Sequence, residues 1–121
     1  MTHSKPQGWE LKIAREADLP LVRSLYLNVW GYNRPLGFDR WRYITQSRGI
    51  CPAALANAGE QGLAGAYTIW PVSLRIDDRI VRGAQSMDTM THPDFQGRGI
   101  FTKLATACYD HAETLGYEVL Y

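Results

Sequence analysis

The stretch Met87-Asp88-Thr89-Met90-Thr91-His92-Pro93-Asp94-Phe95-Gln96-Gly97-Arg98-Gly99-Ile100-Phe101-Thr102-Lys103-Leu104 decides how the rest of the chain is read. It combines a strand, a proline that ends pairing, a short glycine loop and the start of an amphipathic helix. A helix N-terminus carries unpaired N–H groups and the positive end of the helix dipole. Glycines let a phosphate approach the backbone with no Cβ in the way. Such a loop suits a phosphorylated group, although a bare Gly-x-Gly is more often only a tight strand-to-helix turn. Two familiar phosphate loops do not fit. The P-loop needs Gly-Lys followed by Ser or Thr, and here Lys103 follows Thr102 with no glycine beside it. The dinucleotide fingerprint needs a third glycine three residues after Gly99, where Thr102 stands, and a parallel βαβ unit.

Downstream, Ile100, Leu104, Ala107, Cys108, His111 and Leu115 fall at three- and four-residue steps, one face of a helix that Gly116 closes. Tyr117 to Tyr121 is then a β-prone run. Upstream, Ile80 to His92 and Leu63 to Ile76 read as extended segments joined at Asp77-Asp78, with Pro71 marking an edge or a bulge. A small-residue strand, Cys51 to Ala56, precedes the turn-rich Asn57 to Gly62. Trp9, Leu11 and Ile13 alternate with polar neighbours as a half-buried strand does. Asp18 sits where an N-cap belongs, with Pro20 just inside. Val22, Leu25 and Val29 then recur at helical spacing up to Gly31. A loop over Tyr32 to Gly37 leads to a short second helix carrying Phe38 and Trp41, ended by Gly49 and Pro52. The fold class is therefore α/β (α+β): a central, mostly antiparallel mixed sheet with helices on both faces.

The chain has 121 residues, 45% hydrophobic and 21% charged, which suits one globular domain over 1–121. A net charge of +1 argues against a domain whose task is gripping nucleic acid or an anionic membrane. Cys51 and Cys108 are too few for a disulfide framework and lack zinc-ligand spacing, so no metal is expected and reduced thiols in a cytoplasmic protein are. The longest uncharged stretch, Gln61 to Leu74, falls short of the roughly 20 residues that span a bilayer. Met1 to Gly8 is polar, without the apolar core of a signal peptide, and reads as a loose end.

The glycine loop resembles the central motif of the GNAT acetyltransferase superfamily: Gln or Arg, two variable residues, Gly, one variable residue, then Gly or Ala, after a strand ending in a His-Pro-like turn. Gln96, Gly97, Arg98, Gly99, Ile100 and Phe101 take those places, with Thr91, His92 and Pro93 upstream. The order of elements is also similar, from about Trp9 to Tyr121. One departure is Phe101, where the family has a small residue; it either crowds a pyrophosphate or packs under the helix. The resemblance implies acetyl-CoA as the acyl donor. The backbone around Gln96, Gly97, Arg98, Gly99, Ile100, Phe101 and Thr102 would cradle its pyrophosphate. Thr89, Met90 and Thr91 would pair with its pantetheine amides, and an N–H near Met90 would polarise the thioester carbonyl. Arg98 and Lys103 add charge near the phosphates or form a solvated helix start.

Acyl transfer to an amine needs the amine neutral, so a base must take its proton. Asp88 is the candidate, two residues from Met90 and so on one face of the strand; the other reading makes it the partner of an arginine. Gln85 can position a water. His92 belongs to the turn, where a structural hydrogen bond is the commoner role. His111 and Cys108 read as packing residues, and nothing places a basic partner beside the thiol. Trp30, Tyr32, Phe38, Trp41 and Tyr43 cluster around the second helix, where proteins resembling this one line their acceptor pocket; most should be core.

These readings converge on an acyl-CoA-dependent N-acetyltransferase that moves an acetyl group to a small-molecule or peptide amine by direct attack in a ternary complex. Alternatives are a non-catalytic acyl-CoA-binding module and a truncated interaction fragment. In chains resembling this one a further helix and hairpin follow the strand matched by Tyr117 to Tyr121. The domain is therefore expected to be C-terminally incomplete and to self-associate through that strand, whose free edge is a pairing template.

Overall fold

The computed structural model describes residues 8–35, 37–45 and 50–121. All of the loose end expected over Met1 to Gly8 except Gly8, and the stop at Gly49, lie outside the described residues. Strand β1 is Glu10–Ile13, helix α1 is Leu19–Trp30, and α2 is the single turn Phe38–Arg40 continued by a π-helical turn, Trp41–Thr45. Strands β2 (Ala53–Asn57), β3 (Leu63–Ile76) and β4 (Arg79–Thr91) follow, then helix α3 (Ile100–Thr114) and strand β5 (Val119–Leu120). The sheet order is β1-β2-β3-β4-β5; the first three pairings are antiparallel and β4–β5 is parallel. This is the mixed sheet expected, with the limits of β1, β2 and β4 moved by one or two residues and the strand expected over Tyr117 to Tyr121 shortened to Val119–Leu120. Among the described residues no helix is long and apolar enough to cross a membrane.

Alternation along the strands, reset between Leu63 and Gly65 by the irregularity opposite Ala56 and Asn57, sorts the core into two layers. Ala54, Ala56, Ala64, Tyr67, Ile69 and Ala84 face α3, which contributes Ile100, Leu104, Ala105, Cys108 and Ala112. Ala53, Leu55, Leu63, Ala66 and Met90 face the other side, where Val22 and Leu25 of α1 and Tyr43 pack. The alanines let α3 lie close to the sheet, and Gly65 lets it lie closest at its first turn. A Cβ on Gly65 would stand 2.9 Å from Ile100 Cγ2 and 3.1 Å from the Met90 carbonyl oxygen. Gly65→Ala should therefore cost about 1–3 kcal/mol by overpacking. Urea denaturation reads it, and an unchanged midpoint would mean that α3 can slide outward without loss.

Several local expectations are modified. Leu11 and Leu115 are exposed, because each lies at the rim of the α3 layer. Asp18 precedes α1 but does not cap it. A 3₁₀ turn over Glu16–Asp18 already places it at φ −86°, ψ −7°, so its carboxylate points back and accepts from Lys12 Nζ (2.9 Å) and the Arg15 N–H (2.8 Å). Burial pushes that carboxyl up, but Lys12 and the Arg15 N–H outweigh it and hold it below the usual range. Pro71 stands beyond the last β2 partner of β3, Thr68, so its missing N–H costs no ladder bond on that side. The tight turn at Asp77-Asp78 forms, with Asp77 at φ 55°, a region aspartate tolerates better than most residues.

Candidate active site

Two cavities flank the C-terminal part of β4, one at each end of the segment Met87–Thr91. The first is the glycine loop. Gly97 and Gly99 both adopt positive φ (80° and 72°), and a Cβ on either would meet nothing within 4 Å. A cavity of about 250 Å³ lies against Thr91, Phe95, Gln96, Gly97, Arg98, Gly99, Ile100 and Phe101. The first helical bond of α3 runs from the Lys103 N–H to the Gly99 oxygen at 3.4 Å, so the N–H groups of Ile100, Phe101 and Thr102 have no acceptor within the helix. An open concavity facing unspent donors at a helix N-terminus fits a phosphate group.

The side chains around this loop settle several alternatives. Phe101 is 55% exposed and meets the Tyr67 ring edge-on at 5.5 Å between centroids, so it forms a wall of the cavity without filling it. Arg98 lies over the Phe95 ring, 5.3 Å from its centroid. Lys103 turns to Trp9, with Nζ 5.6 Å from that ring, and faces the β1 side. His92 Nδ1 accepts from the Asp94 N–H at 3.1 Å, the structural bond expected of a turn histidine. Cys108 is fully buried, and burial pushes its thiol up to about 12, so it holds no thiolate at neutral pH. His111 is half-buried on α3.

Between the loop and the second cavity, β4 is irregular. Thr68 faces Met87 and Ala66 faces Met90, so Asp88 and Thr89 together oppose Tyr67; Asp88 has φ 56°. This β-bulge resets the alternation. Gln85, Met87 and Asp88 consequently all line one cavity on the α1–α2 side, and Met90 is buried on that same side. On its other edge β4 is paired to β5 at Gly83 and Ala84, with main-chain bonds from the Glu118 N–H to the Arg82 oxygen, from the Tyr121 N–H to the Ala84 oxygen and from the Ser86 N–H to the Tyr121 oxygen. Among the described residues, Met87 to Thr91 has no strand neighbour on that edge. The main-chain groups of this segment that do not pair with β3 therefore face a path from the bulge to the glycine loop.

The second cavity, about 450 Å³, is lined by Phe38, Trp41, Arg42, Trp70, Val72, Gln85, Met87 and Asp88. Asp88 is held from three sides. Its carboxylate accepts from the Tyr43 hydroxyl at 3.0 Å and lies 3.0 Å from Arg34 Nη2 and 3.4 Å from Arg42 Nε. Burial, reinforced by the Asp88 charge, pushes the Tyr43 hydroxyl well above the ordinary tyrosine range, so it stays protonated and donates. Arg42, 2% exposed, also donates to the Ile69 oxygen and to Thr68 Oγ1, and Thr68 in turn donates to the Met87 oxygen. Arg34 pairs with Asp39, which also meets Arg23.

Sequence reasoning singled out Asp88, Phe38 and Trp41 but missed Arg34, Arg42 and Trp70. An arginine is ordinarily solvated, and nothing local marks Arg34 of the loop or Arg42 of the π-helical turn as buried. Trp70 lies on β3 two residues beyond Thr68, the last one paired with β2, and lines the cavity there. Of the five aromatics expected around an acceptor pocket, Phe38 and Trp41 line it, Tyr43 lies beneath it, and Trp30 and Tyr32 are exposed elsewhere.

Residues 10–121 match the family described as the acetyltransferase (GNAT) domain. The chain belongs to the GNAT acetyltransferase family. Among solved structures, this GNAT domain is similar to a probable N-acyltransferase of unknown function from Enterococcus faecalis (TM-score 0.74, 8% identity), covering 94% of this chain and 29% of that protein. It is similar also to an aminoglycoside acetyltransferase from an uncultured soil metagenomic sample (TM-score 0.70, 16% identity, 95% and 78% of the two chains). A third is a ribosomal-protein-alanine N-acetyltransferase from Brucella melitensis (TM-score 0.67, 18% identity, 92% and 77%). At such identities these likenesses speak for the fold alone. No curated protein matches the chain in sequence.

Proposed function

We propose that this GNAT domain transfers an acetyl group from acetyl-CoA to an amine by direct attack within a ternary complex. The observation that carries the proposal is the continuity of the site. An anion-accepting glycine loop and an amphipathic cavity are joined by a strand segment with main-chain groups to spare. Acetyl-CoA, when bound, supplies the activated thioester. The N–H groups from Gln96 to Thr102 hold its pyrophosphate, and the Thr89–Thr91 backbone pairs with the pantetheine arm. An N–H near Met90, just past the bulge, stabilises the developing oxyanion. The high Cys108 thiol and its burial favour direct attack over an acyl-enzyme.

Asp88 has two roles open to it, base or arginine partner, and its surroundings support the second. Its Oδ2 lies against two guanidinium groups and accepts from a phenol, the setting of a carboxylate that holds arginines in place. It is an anchor for Arg34 and Arg42, and the amine enters neutral or loses its proton to water. The similar structures include enzymes for a small-molecule and for a protein acceptor. A cavity of about 450 Å³ favours a small amine here.

Two measurements test this reading. CoA should raise the melting temperature, because a ligand that binds only the native state stabilises it. Free thiol should be released from acetyl-CoA in the presence of amines and only slowly without them. Stabilisation without amine-dependent release would leave a binding module, and absence of both would leave the glycine loop as a turn.

A further inference from the structure

Among the described residues the sheet ends at β1, whose outer edge has no strand neighbour and whose Leu11 is 44% exposed. The Ala14 N–H donates to the Ala53 oxygen at 2.8 Å, so Ala14, Lys12 and Glu10 are the residues bonded to β2. Trp9, Leu11 and Ile13 therefore turn their main-chain N–H and C=O groups outward. No proline or bulge interrupts the row, and such an edge is a template for another strand.

The side chains of this edge complement themselves. In an antiparallel pair of two copies centred on Leu11, Leu11 faces the partner's Leu11, Glu10 faces the partner's Lys12, and Trp9 faces the partner's Ile13. Apolar residues then meet on the α3 face of the sheet and opposite charges on the other. The same centre makes Leu11 a hydrogen-bonded pair, as the Ala14 bond requires. Sliding one copy by two residues either way sets Glu10 against the partner's Glu10, or Lys12 against the partner's Lys12. Glu10 has no ion pair among the described residues. Lys12 has one, to Asp18, and its ammonium keeps further donors. Leu11 also lines a cavity of about 390 Å³ with Thr102, Lys103, Thr106, Ala107 and Asp110 of α3, and the partner's Leu11 reaches its open side.

We propose that two copies of this chain associate antiparallel along β1, about a two-fold axis at Leu11, and join their five-stranded sheets into one. The interface lies at the edge opposite β5, so substitution tells the two edges apart.

Sedimentation analysis should find a concentration-dependent dimer. Glu10→Lys sets like charges against each other twice across the axis and should weaken the dimer roughly tenfold or more. Glu10 is exposed, so the far-ultraviolet spectrum should not change. Tyr121→Lys, at the exposed end of β5, should leave the dimer as it is. Leu11→Cys supplies a direct trap, because a hydrogen-bonded pair sets its Cα atoms about 5.5 Å apart, within disulfide reach. Mild oxidation should link two copies of that variant, whereas Glu10→Cys, displaced along the strand from its symmetry mate, should stay unlinked. Cys51 and Cys108 are fully buried and do not compete. A wild-type chain that is monomeric at every concentration would overturn the proposal, as would equal linking through Glu10→Cys and Leu11→Cys. Loss of the dimer in Tyr121→Lys but not in Glu10→Lys would overturn it too, and would place the interface at β5.

Discussion

Gly99→Asp is expected to abolish acetyl-CoA binding while leaving the fold in place. Gly99 stands at φ 72° with open space where a Cβ would lie, and aspartate enters that backbone region at modest cost. The melting temperature of the unliganded protein should therefore fall by only a few degrees. The new carboxylate would stand among the donors that receive the pyrophosphate. Two like charges about 4 Å apart repel by about 4 kcal/mol at an effective dielectric constant of about 20. With solvent screening at this open site the loss is still on the order of a hundredfold or more in affinity. Calorimetric titration with CoA reads it directly. Wild-type affinity in this variant would show that the pyrophosphate is held elsewhere.

Asp88→Asn should produce the largest change on the acceptor side. The carboxylate now balances Arg34 and Arg42, which are 5% and 2% exposed. Removing its charge leaves Arg42 without its carboxylate and Arg34 with Asp39 alone, and breaking a fully buried pair costs about 3–5 kcal/mol. The Asp88 side chain is 23% exposed, so about 2 kcal/mol is the expected loss here, read as a lower urea midpoint. Turnover should fall with CoA affinity unchanged, because the damage lies in the second cavity. The pH profile separates the two roles. As an anchor, Asp88 leaves the acid limb of kcat/KM in place after substitution, since that limb follows the amine. As a base, it would take the limb with it.

The donor half of the site was legible because its chemistry is local. Pro93, Gly97, Gly99 and the apolar face from Ile100 onward lie within one continuous stretch, and each acts on its neighbours' backbone. The β3–β4 hairpin was legible for the same reason: long β-prone runs meet at Asp77-Asp78. The acceptor half was not. Arg34, Arg42 and Trp70 come together with Asp88 only after the sheet and α2 have packed, and their spacing along the chain carries no sign of it. The bulge is another case. Alternation alone puts Met87 and Met90 on opposite faces, and only the pairing with Ala66 and Thr68 reveals the extra residue that brings them to one side. Leu115 failed differently: it keeps the helical period but stands past the last residue of α3, beyond the layer it would have joined.

Hydrogen exchange with and without acetyl-CoA tests the central claim most directly, because it reports backbone groups one by one. Amides from Gln96 to Thr102 and from Thr89 to Thr91 should slow markedly on addition of the donor. Those at the hairpin tip, Asp77 to Ile80, should not change. Protection confined to Thr106 to Asp110, on the side of α3 where a separate cavity lies against Leu11 of β1, or absent from both the glycine loop and Thr89–Thr91, would contradict the proposed donor path.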